Sequence, residues 1–300
     1  MKSVFKAAGL GEILWDMLPE GKHLGGAPTN FAYLTSLLGD EGVVASRIGI
    51  DQLGQETIEK AADLGLGTHF IQNDPQQPTG TARVNVDSDG QPVFVITEPV
   101  AWDFLQWSPE WQSLAQNLDI VCFGTLAQRS PQSRETIRQF LNAAPKSALR
   151  VFDMNLRQEY FSAEVLDASF KLAHIVKLNH EELSRAMNLL GLKFGSEEDA
   201  ARRLRAIYGL KLICVTRGAR GSLLVAPSGT TSHPGFRVKV VDTIGAGDGF
   251  TAALAHHFVR GAPLEQINES ANRFASWVAS QAGGTPSLGG QRLEDVLAKV

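Results

Sequence analysis

Alternation constrains this chain more than any single motif. Short apolar runs at Val43 to Ile48, Ile120 to Phe123, Leu149 to Phe152, Ile175 to Leu178 and Leu212 to Val215 are separated by longer amphipathic stretches. Those stretches are Asn30 to Leu38, Gln55 to Leu64, Ser133 to Asn142, Glu181 to Leu190, Glu197 to Tyr208, Gly249 to Arg260 and Leu264 to Gln281. A brief apolar run suits a strand buried on both faces, and the helical periods between runs suit crossovers. The pattern predicts an α/β fold, a Rossmann-like, mainly parallel sheet flanked by helices. Ligands on such sheets bind outside the carboxyl ends of the strands, so the loops after the apolar runs are where chemistry is expected.

One region breaks the rhythm. Thr81 to Val86 alternates, Asp87-Ser88-Asp89-Gly90 is turn chemistry, and Pro92 to Ile96 is again strand-like, so Thr79 to Trp102 reads as strand, turn, strand. Such a hairpin either packs as a flap or forms an antiparallel edge of the main sheet. No internal repeat, low-complexity tract or long linker divides the chain, so residues 1–300 are expected to form one domain.

With 300 residues, 43% of them hydrophobic, the chain can bury a large core. A net charge of -4 with both signs scattered, and no basic stretch interleaved with aromatics, gives no reason to expect a nucleic acid partner. Cys122 and Cys214 each lie inside an apolar run and read as reduced core residues. The seven histidines form no metal set; His256 and His257 are adjacent on a helix and point apart. No apolar run reaches membrane-spanning length and Met1 to Leu10 does not read as a signal peptide, so the expectation is no membrane partner and a cytoplasmic location.

The strongest local signal is Val241-Asp242-Thr243-Ile244-Gly245-Ala246-Gly247-Asp248-Gly249-Phe250. Two glycines bracket Ala246, and Asp248 opens an apolar-periodic helix. A carboxylate there can be a simple cap beside a tight turn. The same arrangement lets backbone N–H groups converge on an anion at a helix N-terminus, with a base alongside. The segment alone leaves both open. It is neither a Gly-x-x-x-x-Gly-Lys-Ser/Thr loop nor a full Gly-x-Gly-x-x-Gly, since Phe250 stands at the third position.

Asp242 to Phe250 resembles the C-terminal signature of the ribokinase-like (PfkB) carbohydrate kinases, and Gly25-Gly26-Ala27-Pro28-Thr29-Asn30 resembles their N-terminal one. The two stand at opposite ends of the chain, in the family's order, so the resemblance covers nearly its whole length. It implies phosphorylation of a sugar by ATP with Mg2+. Asp248 would be the catalytic base, with Gly245, Ala246 and Gly247 as an anion hole. Asn179 and Glu182 match an Asn-x-x-Glu motif that positions Mg2+ and phosphate, largely through water. Thr216, Gly218 and Gly221, with Gly247, match a nucleotide loop, and Asn272 a position near the adenine. Asp242, Ile244, Val278, Gln281, Gly283 and Ser287 fall where the family holds K+.

At the sugar end the resemblance implies Asp16, Gly25, Gly26 and Asn30 as ligands, Asp16 being expected at a strand end. Phe152-Asp153-Met154-Asn155-Leu156-Arg157 is similar to an Asp-x-Asn-x-Arg segment of fructokinases, which adds Asp153 and Arg157 and leans towards fructose. Ala101-Trp102-Asp103 is similar to a segment that follows their flap. Flap strands are expected near residues 12–24 and 79–104, and such strands often pair between two subunits, which implies a homodimer. Ribose, tagatose, 2-keto-3-deoxygluconate and adenosine-type substrates remain alternatives. So do a non-catalytic sugar or nucleotide sensor and, more distantly, a nicotinamide-dependent oxidoreductase, for which Leu14 stands where a third glycine should be.

Overall fold

The computed structural model describes residues 2–19, 21–86 and 92–300, and side chains outside 84–94. Along the chain come β1 (Lys6–Leu10), β2 (Leu14–Leu18), β3 (Gly21–Gly25), α1 (Ala27–Leu37), β4 (Glu41–Gly49), α2 (Gln52–Asp63), β5 (Ile71–Asp74), β6 (Gly80–Val86) and β7 (Pro92–Ile96). Then follow α3 (Pro109–Gln116), β8 (Ile120–Phe123), α4 (Pro131–Ala143), β9 (Leu149–Asp153), α5 (Ala163–Leu172), β10 (Ile175–Asn179), α6 (His180–Leu189) and α7 (Glu197–Tyr208). The chain closes with β11 (Leu212–Thr216), β12 (Ser222–Ala226), β13 (Gly229–His233), α8 (Ala246–Val259), α9 (Leu264–Ala279) and α10 (Leu293–Leu297).

The strands form a nine-stranded sheet, ordered β13-β12-β11-β10-β9-β8-β1-β4-β5, and a four-stranded sheet, ordered β3-β2-β6-β7. In the large sheet only the β11–β12 and β12–β13 pairs are antiparallel. The apolar runs alternate between two cores: Val121 and Phe123 face one helical layer, Ile120 and Cys122 the other. Cys122 and Cys214 are free and buried on the same face. The chain order reverses between β1 and β8, which puts the topological switch point at their carboxyl ends.

Local chemistry sets the helix starts. Ser108 and Ser162 cap α3 and α5, and capping boxes Asn179/Glu182 and Ser196/Asp199 open α6 and α7. Gly26 precedes α1 at φ 100, and Pro28 stands in that helix's first turn.

The small sheet corrects two expectations. It is made of β2, β3, β6 and β7, and residues 97–104 add no strand to it. Ala101–Phe104 is a 3-10 turn in the body of the molecule, because Trp102 is fully buried and Asp103 is held by Arg129 Nε and Nη2 at 2.7 Å. Asp16 lies in the middle of β2, opposite His23 of β3, rather than at a strand end. The β6–β7 pair is antiparallel as expected; its turn, 87–90, lies outside the described residues. The small sheet is tied down where Trp15 Nε1 donates to Thr57 Oγ1 of α2 at 2.9 Å and Ile96 N–H donates to Gln158 Oε1 at 3.1 Å.

Candidate active site

Asp248 sits in the first turn of α8, and Asn30 of α1 donates from Nδ2 to its Oδ2 at 2.8 Å across 218 residues of sequence. The two glycine-rich segments therefore meet. Gly245 is left-handed, φ 76, and a Cβ there would overlap the backbone of Gly284. That close approach lays the 283–284 turn against the helix start. Ala246 N–H donates to Thr243 O and Gly249 N–H to Gly245 O, while no acceptor among the described residues faces the N–H groups of Gly247 and Asp248. Two free donors at a helix N-terminus form a cradle for an anion.

Beneath the cradle lies a buried cation that sequence reasoning missed. A Cβ on Gly247 would stand 2.9 Å from Lys177 Nζ. Burial works against the Lys177 charge, but the carboxylates of Asp153, Glu182 and Asp248 outweigh it and hold its pKa above the ordinary lysine value. A lone lysine in the run Ile175-Val176-Lys177-Leu178 was the available signal, since such a side chain needs a partner inside.

Asp153 is that partner: it lies 3.1 Å from Lys177 Nζ through each oxygen, and its Oδ2 also accepts from Thr251 Oγ1 at 2.7 Å. At 3% exposure it does not present a carboxylate to a sugar, contrary to the sequence expectation. Asp248 is desolvated and shares the field of Asp153, which pushes its carboxyl up to about 6 against the opposing effects of the Asn30 hydrogen bond, Lys177 and Arg157. A base near neutrality is suited to accept a hydroxyl proton.

The loop after β9 carries Arg157 between two non-glycine residues with left-handed backbones, Asn155 (φ 40) and Gln158 (φ 46). Such strain persists where surrounding bonds impose it. Leu156 N–H is held by Glu182 Oε1 at 2.7 Å and Met154 O by Thr125 Oγ1 at 2.8 Å. The guanidinium remains exposed, with its field acting on Asp16, Glu12 and Asp248. Asp16 is half-buried against Gly25, and desolvation raises its carboxyl to about 6. Gly26 is where α1 passes the carbonyl of Glu12, too close for a side chain.

The remaining expected residues fall into two groups. Glu182 Oε2 accepts Asn179 N–H at 2.8 Å and Asn179 Oδ1 accepts from Glu181 and Glu182 N–H, so the pair is first of all a capping box at the end of β10. Its remaining lone pairs, beside Lys177, fit water-mediated contact with a hydrated cation better than direct ligation. Thr216 ends β11, and Gly218 (φ 60) and Gly221 (φ 76) shape the turn that follows, where a Cβ on Gly221 would collide with His233 O. Arg217 is taken by Glu197 in an ion pair. Asn272 is buried, its Nδ2 donating to Ser222 Oγ at 2.7 Å and to Asn268 O at 2.8 Å, so its amide nitrogen is spent inside the protein.

Asp242 bridges two loops, accepting Ile244 N–H at 2.9 Å and Gly283 N–H at 3.1 Å. The Val278 carbonyl accepts Gln281 N–H at 2.9 Å, and Gln281 and Ser287 line a cavity of about 500 Å3 with Arg237, Lys239 and Trp277. His23 of the small sheet reaches over Gly283, so that sheet overhangs these loops. Among the described residues no group of three His, Cys, Asp or Glu side chains forms a metal centre, and no helix is long and apolar enough to cross a membrane.

A model described as pfkB family carbohydrate kinase matches residues 20–289. A fructokinase of Klebsiella pneumoniae is 32% identical over 260 residues, covering 82% of this chain and 81% of its own. The uncharacterized sugar kinase PH1459 of Pyrococcus horikoshii is 30% identical over 295 residues, 92% of this chain and 90% of the other. Its crystal structure in complex with ATP matches with a TM-score of 0.80 at 28% identity, over 98% of this chain and 97% of that one. A fructokinase double mutant from Vibrio cholerae O395, in a form with fructose, ADP and potassium ion bound, matches with a TM-score of 0.82 at 24% identity over 99% of both chains, a likeness of fold.

Proposed function

The chain belongs to the pfkB family of carbohydrate kinases, and from that premise we propose that it transfers the γ-phosphoryl group of ATP to a primary hydroxyl of a neutral sugar, fructose first among them. The observation that carries this reading is the Asn30–Asp248 bond, which brings the base from one glycine-rich segment to the amide of the other beside two free N–H donors.

ATP with Mg2+ supplies the phosphoryl group and neutralises part of its charge when bound. Asp248 accepts the hydroxyl proton. The Gly247 and Asp248 N–H groups, in the first turn of α8 behind Gly245 and Ala246, receive the charge of the transferring group, and Lys177 balances it from below. Asn30 orients Asp248. Asp16, the Gly25-Gly26 backbone and Arg157 hold the sugar under the four-stranded sheet, which serves as a lid. Asp153 belongs to this machinery by fixing Lys177. Thr216, Gly218 and Gly221 face the nucleotide, with Asn272 stabilising the adjacent helix. Glu182 and Asn179 would hold the hydrated Mg2+, and the loops carrying Asp242, Ile244, Val278, Gln281, Gly283 and Ser287 would hold K+, each supplying positive charge beside the phosphates.

Fructose is favoured over an acid or a sugar phosphate because the carboxyl groups of Asp16 and Asp248 flank the sugar end and Arg157 acts on both. The fructokinase relatives support the same choice. We read residues 1–300 as one catalytic unit working in the cytoplasm, paired as a homodimer through the open edges of the lid sheet.

The test is ADP release measured over fructose, tagatose, ribose, 2-keto-3-deoxygluconate and adenosine, with and without K+. Fructose is expected to give the highest kcat/KM; a preference for the acid or the nucleoside sinks the neutral-sugar assignment. Turnover of none of them, with ATP still bound, points to a sensor instead.

A further inference from the structure

Glu12 lies two residues past the end of β1, at the switch point, and is 2% exposed. Its carboxyl is approached by its own N–H and by that of Ala27, the first residue of α1. Its carbonyl lies against Gly26 and takes Thr29 Oγ1 at 3.5 Å. The other carboxyl oxygen, Oε2, is buried and has no hydrogen-bond partner. One turn further along α1 is Asn30, the residue that holds Asp248. Glu12 is thus packed under the same helical turn that presents the base.

The charges whose fields reach it lie on other elements. They are Asp248 of α8 and Arg157 of the loop after β9, and the Glu12 field in turn reaches the buried Cys122 thiol of β8. Asp16 of β2 stands beyond, in the field of the same Arg157. A buried carboxylate with one free oxygen, beside a second carboxylate that must be ionised to work, is the costlier of two charge states. A neutral carboxyl costs far less.

We propose that Glu12 is a positioning residue for the base: it keeps its proton beneath the first turn of α1, so that the incoming phosphates meet one unpaired carboxylate charge there, that of Asp248, instead of two. Burial first, and then the Asp248 charge, push the Glu12 carboxyl up to about 7, against its backbone hydrogen bonds and Arg157. This inference rests on the kinase reading above. It adds a prediction that reading does not make: activity declines on the alkaline side as Glu12 loses its proton.

The experiment compares the full chain with Glu12→Gln, a permanent mimic of the protonated form, and with Glu12→Met as a second neutral variant. For each, kcat/KM for ATP and fructose is followed from pH 5.5 to pH 9, with Asp248→Asn as reference. The expected result is that Glu12→Gln keeps its acid limb and most of its activity near neutrality, while the alkaline decline of the wild type moves up by a pH unit or more. A purely structural Glu12 would change activity evenly and leave both limbs in place, and that result overturns the proposal.

Thermal unfolding gives a readout independent of turnover. A carboxyl raised on folding stabilises fully below its unfolded value and loses that contribution as pH rises through its folded value. The Tm of Glu12→Gln or Glu12→Met is therefore expected to gain on the wild type between pH 4.5 and about pH 7. A constant Tm difference for both variants also overturns the proposal. If Asp248→Asn still phosphorylates fructose, it is the kinase reading that fails. If Asp248→Asn is inert and the Glu12→Gln profile matches the wild type, only the role of Glu12 fails.

Discussion

The Lys177 ammonium stands 3.1 Å from each carboxylate oxygen of Asp153, both side chains buried on neighbouring parallel strands and covered by Gly247 of the cradle. The pair fixes where a positive charge lies under the free N–H groups of α8. Removing one partner strands the other in a site closed to water.

Asp153→Ala is therefore expected to cost about 3–5 kcal/mol of stability, and to lower turnover by letting Lys177 leave its place. The double variant Asp153→Leu/Lys177→Met is expected to recover most of the stability and none of the turnover. Urea unfolding and a coupled ADP assay on the three proteins check this; recovery of activity in the double variant would remove Lys177 from the site.

Asp248→Asn keeps the hydrogen-bonding capacity that Asn30 uses and loses the base. A drop in kcat of about 10^2 to 10^4-fold is expected, with fructose binding by calorimetry within a few-fold of wild type. Near-normal turnover would reassign Asp248 to a capping role.

The raised carboxyl of Asp248, about 6, sets the acid limb. Below that pH the base is protonated, and kcat/KM is expected to fall roughly tenfold per pH unit. Linkage gives an independent check. The folded value lies above the ordinary 3.8, so the group's stabilising contribution is complete below pH 3.8 and is lost as pH rises through 6. Asp248→Asn is therefore expected to gain stability relative to wild type over that window, by roughly 3 kcal/mol.

Gly245 needs its left-handed backbone and has no room for a side chain beside Gly284. Gly245→Ala is expected to destabilise by more than the ~1–2 kcal/mol of the backbone conformation alone, because the 283–284 turn must also move. Loss of ATP binding with partial retention of fructose binding, measured by calorimetry, is the expected pattern. Unchanged ATP affinity would argue that the cradle lies elsewhere.

Much of the fold was legible because buried parallel strands leave continuous apolar runs, and Val43 to Ile48 and Leu212 to Val215 fall inside β4 and β11. The flap was misjudged at 97–104 because Trp102 follows the strand-like run closely, and only tertiary burial shows which body it joins. The meeting of Asp248 with Asn30 joins two glycine-rich segments whose backbone demands are local and stand out in the sequence. Asp153 was misread because a carboxylate at a strand end does not reveal its partner, which comes from the next strand and from Thr251 of α8. Glu12 carried a signal that went unused: a charge set between Gly11 and Ile13, in a stretch otherwise apolar from Ala7 to Trp15.

Asp242 joins two loops. Its two oxygens tie Ile244 N–H to Gly283 N–H, so one carboxylate sets the spacing between the loop that leads into the cradle and the loop that ends at Ser287. A K+ ion held there by Asp242 and neighbouring carbonyls would tighten the same junction and add positive charge beside the anion cradle. Replacing K+ by tetramethylammonium, too large for the site, is expected to lower kcat/KM for ATP several-fold while leaving fructose affinity unchanged. Asp242→Asn keeps one acceptor oxygen but loses the charge, and is expected to show the low activity in both salts. If wild type is indifferent to K+ while Asp242→Asn is still impaired, the carboxylate acts as a loop tie alone.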